Sequence, residues 1–86
     1  MPYTVEVQKR AEKFLRSLKD AALYRRLRSS IDSLASDPRA PGSVKLAGSE
    51  DIFRLRVGDY LILYHIQDAI LLVLVIEFGH RREVYR

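Results

Sequence analysis

Ile52-Phe53-Arg54-Leu55-Arg56-Val57-Gly58-Asp59-Tyr60-Leu61-Ile62-Leu63-Tyr64-His65-Ile66 decides how this chain folds. Apolar residues recur at every second position on both sides of a Gly-Asp pair, which reads as two strands joined by a two-residue turn. With Gly58 and Asp59 as the turn, Val57 pairs with Tyr60, Arg56 with Leu61, Leu55 with Ile62, Arg54 with Leu63 and Phe53 with Tyr64. Two faces then separate. Phe53, Leu55, Val57, Tyr60, Ile62, Tyr64 and Ile66 fill one, and Arg54, Arg56, Leu61, Leu63 and His65 lie on the other. A guanidinium is almost never buried without a partner, so Arg54 and Arg56 are expected to project into a cleft or solvent.

Downstream, a tight turn near Gln67-Asp68 leads into a third strand, Ala69 to Ile76, whose apolar residues on both faces place it in the sheet interior. Upstream, the stretch from Arg39 to Ser49, with Pro41, Gly42 and Gly48, reads as a loop. Before that, Ala11, Phe14, Leu15 and Leu18 recur at helical spacing among basic residues. A second helix follows from about Asp20, with Leu23, Leu27, Ile31, Leu34 and Ala35 inward, and Asp37-Pro38 ends it. The short joint near Lys19-Asp20 implies an antiparallel helical hairpin. Tyr3, Val5 and Val7 alternate with Thr4 and Glu6 as a short first strand. The order β-α-α-β-β-β predicts an α+β domain, helices on one face of a small, mainly antiparallel sheet.

With 86 residues, the chain is expected to form one domain over 1–86. Its formal charge of +4 favours polyanionic partners. It has no cysteine and only 2 histidines, which excludes disulfides and thiolate metal sites and disfavours a protein zinc site. No basic segment followed by an apolar run opens the chain, and the run from 69 to 76 is far short of the about 20 residues a membrane helix needs. A cytoplasmic protein without membrane association is the expectation. No carboxylate pair, glycine-rich phosphate loop or Ser-His-Asp arrangement appears, so neither metal nor organic cofactor is expected.

The candidate chemistry lies in two cationic clusters. Arg54 and Arg56 point the same way about 7 Å apart, comparable to adjacent phosphates on a nucleic-acid strand, although charges on an exposed strand also deter edge pairing. The last residues, Gly79-His80-Arg81-Arg82-Glu83-Val84-Tyr85-Arg86, bring further guanidiniums, an imidazole and a phenol after the most apolar stretch. Pairing of the third strand beside the second would carry Arg81, Arg82 and Arg86 towards Arg54 and Arg56. His80 is the acid or base candidate, because an imidazole can take or give a proton near neutral pH. The competing reading is a surface histidine past a strand end. Tyr85 is suited to stacking on a base or bonding a phosphate oxygen, or else to closing the core. His65, in mid-strand, reads as structural.

The run from Ile52 to Tyr60, then Ile62-Leu63-Tyr64, then Gly79 to Tyr85 resembles the RelE branch of the RelE/ParE toxin superfamily. Asp37-Pro38-Arg39 and Lys45-Leu46-Ala47-Gly48 resemble that family's loop before the sheet. The resemblance implies the toxin of a toxin–antitoxin pair, a ribosome-dependent endoribonuclease that enters the ribosomal A site and cuts mRNA by attack of the 2′-hydroxyl on the adjacent phosphate. It implies catalytic roles for Arg54, Arg56, Arg81 and Tyr85, with His80 as the added acid or base, and RNA contacts at Lys45, Arg82 and Arg86. Lys9, Arg10, Lys13, Arg25, Arg26 and Arg28 become candidates for ribosomal RNA contacts. It also implies a cognate, RelB-like antitoxin, helical and folding on binding over the helix surfaces and over apolar positions such as Leu61 and Leu63, with operator DNA reached only through it.

Two departures weigh on the chemistry. Leu61 stands where many members carry a basic residue after the hairpin tyrosine, and Arg54 and Arg56 stand where some carry lysine. A guanidinium is a poor general base, so both arginines are better suited to holding phosphate, which shifts proton transfer to His80 or to groups of the ribosome or RNA. Leu61 keeps two other readings open: a ParE-like inhibitor of DNA gyrase that is no nuclease, and a degenerate toxin that retains only antitoxin binding and co-regulation.

Overall fold

The computed structural model describes residues 2–80, so the expectations for Arg81, Arg82, Tyr85 and Arg86 lie outside the described residues. The elements are β1 (Thr4–Val7), α1 (Lys9–Ser17), α2 (Ala21–Ser33), β2 (Ser43–Lys45), β3 (Ile52–Val57), β4 (Tyr60–Gln67) and β5 (Leu72–His80). Five strands form one sheet in the order β1-β5-β4-β3-β2, with β1 parallel to β5 and every other pair antiparallel. This is the expected α+β arrangement, and the apolar third hairpin strand does lie inside the sheet.

The hairpin has the register expected from its alternation, from Val57 opposite Tyr60 to Phe53 opposite Tyr64. Gly58 makes the turn possible with φ of 60° at its first central position, where a side chain would be strained. Both helices cover the apolar face. Asp20 caps α2 by accepting from the N–H groups of Ala22 and Leu23 at 3.0 and 3.1 Å, satisfying two orphan donors of the first turn. At the start of α1 the Gln8 N–H donates to the Val75 carbonyl at 2.9 Å, tying the helix to β5. Ala11, Leu15, Leu27 and Ile31 from the helices meet Ile62, Tyr64, Ile66, Val73 and Val75 from the sheet in one cluster. Each large aliphatic side chain buried there contributes about 1.5–3 kcal/mol before entropy is subtracted.

The structure departs from the sequence reading at several places. The stretch read as a loop from Arg39 to Ser49 contains β2, which pairs Ser43, Val44 and Lys45 with Leu55, Arg54 and Phe53. Three residues flanked by glycine and proline are too few to show a period. The turn after β4 is longer than expected: Asp68–Ile70 form a 3-10 turn, and Leu71 adopts a left-handed conformation with φ of 52°. That conformation costs a side-chain-bearing residue about 1–2 kcal/mol. Leu71 holds it between two backbone bonds, donating to the Asp68 carbonyl and accepting from the Thr4 N–H. The third hairpin strand consequently starts at Leu72 rather than Ala69 and runs on to His80.

The strand also carries a bulge. Leu63 faces Glu77 while the next residue, Tyr64, faces Val75, which leaves Ile76 as the extra residue. Val73 and Val75 point to the helices. Unbroken alternation would send Glu77 after them into the core, at the cost of desolvating a carboxylate. The bulge instead turns Phe78 inward, stacked on Phe14 at 5.1 Å between ring centroids, and leaves Glu77 on the other face.

At the far end of the sheet, Asp68 accepts from both terminal nitrogens of Arg39 at 3.2 and 2.8 Å and from the Tyr3 hydroxyl. Arg39 also lies over the Phe53 ring, 5.5 Å from its centroid. Beneath it, the buried Tyr64 hydroxyl donates to the Pro38 carbonyl at 2.7 Å, and burial pushes that phenol up. The residues leading into β1, the loop after α2 and the β4–β5 turn are thus tied together. The guanidinium first, and the Tyr3 hydroxyl second, hold the Asp68 carboxyl down to about 2 from 3.8. A depressed carboxylate stabilises the fold above its unfolded value, and that contribution is lost as pH falls through the folded one. Asp68→Asn is therefore expected to melt at a lower temperature than the unsubstituted chain at pH 6, with the gap closing as pH falls from about 4 through about 2. Equal melting temperatures at pH 6 would show that this exposed cluster contributes nothing.

Candidate functional site

Strand register defines the face of the sheet that the helices leave open. Across it run two rows, Val44–Arg54–Leu63–Glu77 and Arg56–Leu61–Gly79, since cross-strand partners share a face. Arg54 is half-buried within its row, and Arg56, near the turn, is exposed. The Arg56 Nε donates to the Gly58 carbonyl at 3.0 Å, which steers the guanidinium toward the hairpin tip. Two cationic groups therefore stand side by side on a rigid strand, a layout suited to successive phosphates of a single nucleic-acid strand.

Leu61 differs from expectation. Sequence places it exposed on this face, yet it is only 1% exposed while lying outside the helix-side cluster. Leu61 therefore offers no apolar surface to a partner. Leu63 is half-buried. Glu77 brings a carboxylate to the face, which Arg10 neutralises from the first turn of α1 at 2.8 Å.

Two of the candidate residues are not brought to Arg54 and Arg56. His80 pairs with Tyr60, and their rings meet edge to face with centroids 5.3 Å apart, on the side where Tyr60 packs near Phe14. The bulge at Ile76 puts it there, because it inverts the alternation of everything that follows in β5. Lys45 pairs with Phe53 and so shares the helix-side face at the exposed edge strand. His65 lies on the open face, within 3.3 Å of the Gln67 side-chain nitrogen through Nδ1. Lys9, Lys13, Arg25 and Arg26 are exposed on the helices and Arg28 is half-buried, while Arg10 is engaged with Glu77. The pairing of Arg10 with Glu77 escapes sequence reading, for nothing in the spacing announces a bulge.

A family model described as the ParE toxin of the type II toxin–antitoxin system parDE matches residues 5–85. Toxin RelG of Mycobacterium tuberculosis is 32% identical over 89 residues, covering 100% of this chain and 99% of that protein. Among solved structures, a chain of the archaeal RelE–RelB complex from Pyrococcus horikoshii superposes with a TM-score of 0.81 at 30% identity, covering 94% of this chain and 97% of that one. A mutant of the E. coli toxin RelE in the free state gives a TM-score of 0.80 at 27% identity, over 99% and 92% of the two chains.

Replacing Arg54 and Arg56 together with alanine is expected to weaken binding of a single-stranded RNA oligonucleotide and to reduce the slope of log affinity against log salt by about 1.4, or about 0.7 for each phosphate no longer neutralised. Titrations at several salt concentrations measure both quantities. An unchanged slope would remove these arginines from the phosphate-binding surface.

Proposed function

This chain belongs to the RelE branch of the RelE/ParE toxin superfamily and is a RelE-like toxin of a type II toxin–antitoxin system, and on that premise we propose that it is a ribosome-dependent endoribonuclease of mRNA, held in check by a cognate antitoxin. The observation that carries the proposal is the pair Arg54 and Arg56 on the open face of a sheet whose hairpin register is fixed. The antitoxin follows from relatives crystallised as RelE–RelB complexes. Translating ribosomes in the cytoplasm would supply the substrate, with mRNA presented in the A site.

In this reading the RNA 2′-oxygen attacks the adjacent phosphorus, the bond from phosphorus to the 5′-oxygen breaks, and the proton lost from the 2′-hydroxyl is balanced by one delivered to the leaving oxygen. Arg54, Arg56 and Arg81 neutralise the phosphate as negative charge accumulates on its non-bridging oxygens. Tyr85 orients or stacks on a neighbouring base, and Arg82 and Arg86 extend the cationic track. His80 is the candidate acid or base of this chain. Its position behind the sheet from Arg54 and Arg56 means that it can serve only a substrate reaching the end of β5, and otherwise proton transfer falls to the RNA or the ribosome.

Leu61 favours a second reading. A hydrophobic residue buried in the row of Arg56 leaves the face one cation poorer than in many relatives, as a protein-binding inhibitor of DNA gyrase would tolerate. The two readings separate in vitro. Purified toxin added to translating ribosomes is expected to cut mRNA, Arg81→Ala is expected to slow cutting by about 10²–10³, the usual loss for one charge-stabilising group, and His80→Ala by a smaller factor. Intact mRNA together with accumulating gyrase–DNA cleavage complexes would replace the nuclease reading with the gyrase one.

A further inference from the structure

The chain has 2 histidines, and the bulge that sends His80 to the helix side leaves the other, His65, as the imidazole of the open face. His65 pairs with Ile52 on β3 and with Leu74 on β5, and cross-strand partners share a face, so its ring stands on the side of Arg54. Arg54 lies opposite Leu63, two residues before His65. The two are therefore diagonal neighbours about 7–8 Å apart, close enough for a guanidinium and an imidazole to reach one nucleotide together. The ring is half-buried, and its Nδ1 lies 3.3 Å from the Gln67 side-chain nitrogen. Half a turn of that amide brings its oxygen to the ring, where it accepts Nδ1–H and leaves the lone pair on Nε2.

We propose that His65 is the general base of RNA cleavage. With the phosphate on Arg54, Nε2 takes the proton of the 2′-hydroxyl as that oxygen bonds to phosphorus. The bond from phosphorus to the 5′-oxygen breaks, and the leaving oxygen takes a proton from water. The guanidiniums of the face do not give up a proton near neutral pH and so cannot serve, whereas a neutral imidazole can accept one. Glu77 is the other candidate acceptor on this face, but its carboxylate is engaged by Arg10 at 2.8 Å. The charged groups placed around His65 are Arg54 and Asp51 on the β3 side, Glu77 with Arg10 diagonally across β5, and Glu6 on β1 beyond Leu74. The inference deepens the nuclease reading and rests on it. It gives a mid-strand histidine, structural by its sequence position, the proton transfer that His80 could supply only at the end of β5.

The test is single-turnover cleavage of mRNA on preformed ribosome complexes from about pH 5.5 to about pH 8.5, a range centred near the ordinary imidazole value. His65→Gln keeps a polar side chain of similar length, His65→Ala opens a space, and circular dichroism with melting temperatures identifies which variants are folded. The unsubstituted toxin is expected to gain tenfold in rate per pH unit at the acid end and to level off near neutrality. His65→Gln is expected to be slower by about 10²–10⁴ on the plateau and to lose that break, with RNA affinity kept within twofold. Added imidazole is expected to restore part of the rate of His65→Ala, and His65→Gln alone decides the matter if the alanine variant does not fold. Equal slowing at every pH with the break retained would overturn the proposal in favour of a structural role, as would an unchanged rate in folded His65→Gln. A break that persists in His65→Gln but vanishes in His80→Ala would return proton transfer to the end of β5. Absence of cutting by the unsubstituted toxin would instead contradict the nuclease reading on which the inference rests.

Discussion

Everything distinctive about this sheet follows from where alternation is kept and where it is broken. Gly58 and Asp59 lock β3 to β4 in one register, and a one-residue slip would move every side chain of the hairpin to the opposite face. A single extra residue, Ile76, then breaks alternation in the neighbouring strand. The bulge reconciles two demands that strict alternation sets against each other: Phe78 must fill the core beside Phe14, and Glu77 must stay out of it.

The two faces divide the labour. The helix side has the buried aliphatic residues and stacked rings, which hold the sheet rigid, and the cluster of Tyr3, Asp68 and Arg39 fastens its far end. In the proposed reading the open side carries Arg54 and Arg56 on a strand whose backbone is fixed by neighbours, so binding a phosphate would order the two side chains but not the strand beneath them. Glu77 opposes that purpose, and its ion pair with Arg10 moderates the repulsion a polyanion would meet there.

Much of this is legible in the residues. Alternation around Gly58-Asp59 determines the hairpin register and the separation of Arg54 and Arg56 from the core. Helical spacing of Leu15, Leu27 and Ile31 determines which faces turn inward. What escapes does so for physical reasons. β2 is too short for a period, and Leu71 takes a left-handed conformation inside an unbroken apolar run, so the start of β5 has no punctuation. The bulge at Ile76 depends on which of Glu77 and Phe78 the core can accept, a tertiary question that local sequence does not pose. Following β5 with its alternation intact puts His80 beside the arginines, and treating the open face as bare leaves Leu61 exposed. The bulge corrects the first, and the 1% exposure of Leu61 corrects the second.

The central claim is that the open face holds an RNA phosphate for attack by the neighbouring 2′-hydroxyl. It is tested most directly by identifying the ends left on mRNA cut in a reconstituted translation system. Cleavage by this route leaves 5′-hydroxyl ends opposite 2′,3′-cyclic phosphates, formed only when ribosomes are present. Cuts that leave 5′-phosphates, or cuts made equally well where the attacking hydroxyl is replaced by hydrogen, would contradict it.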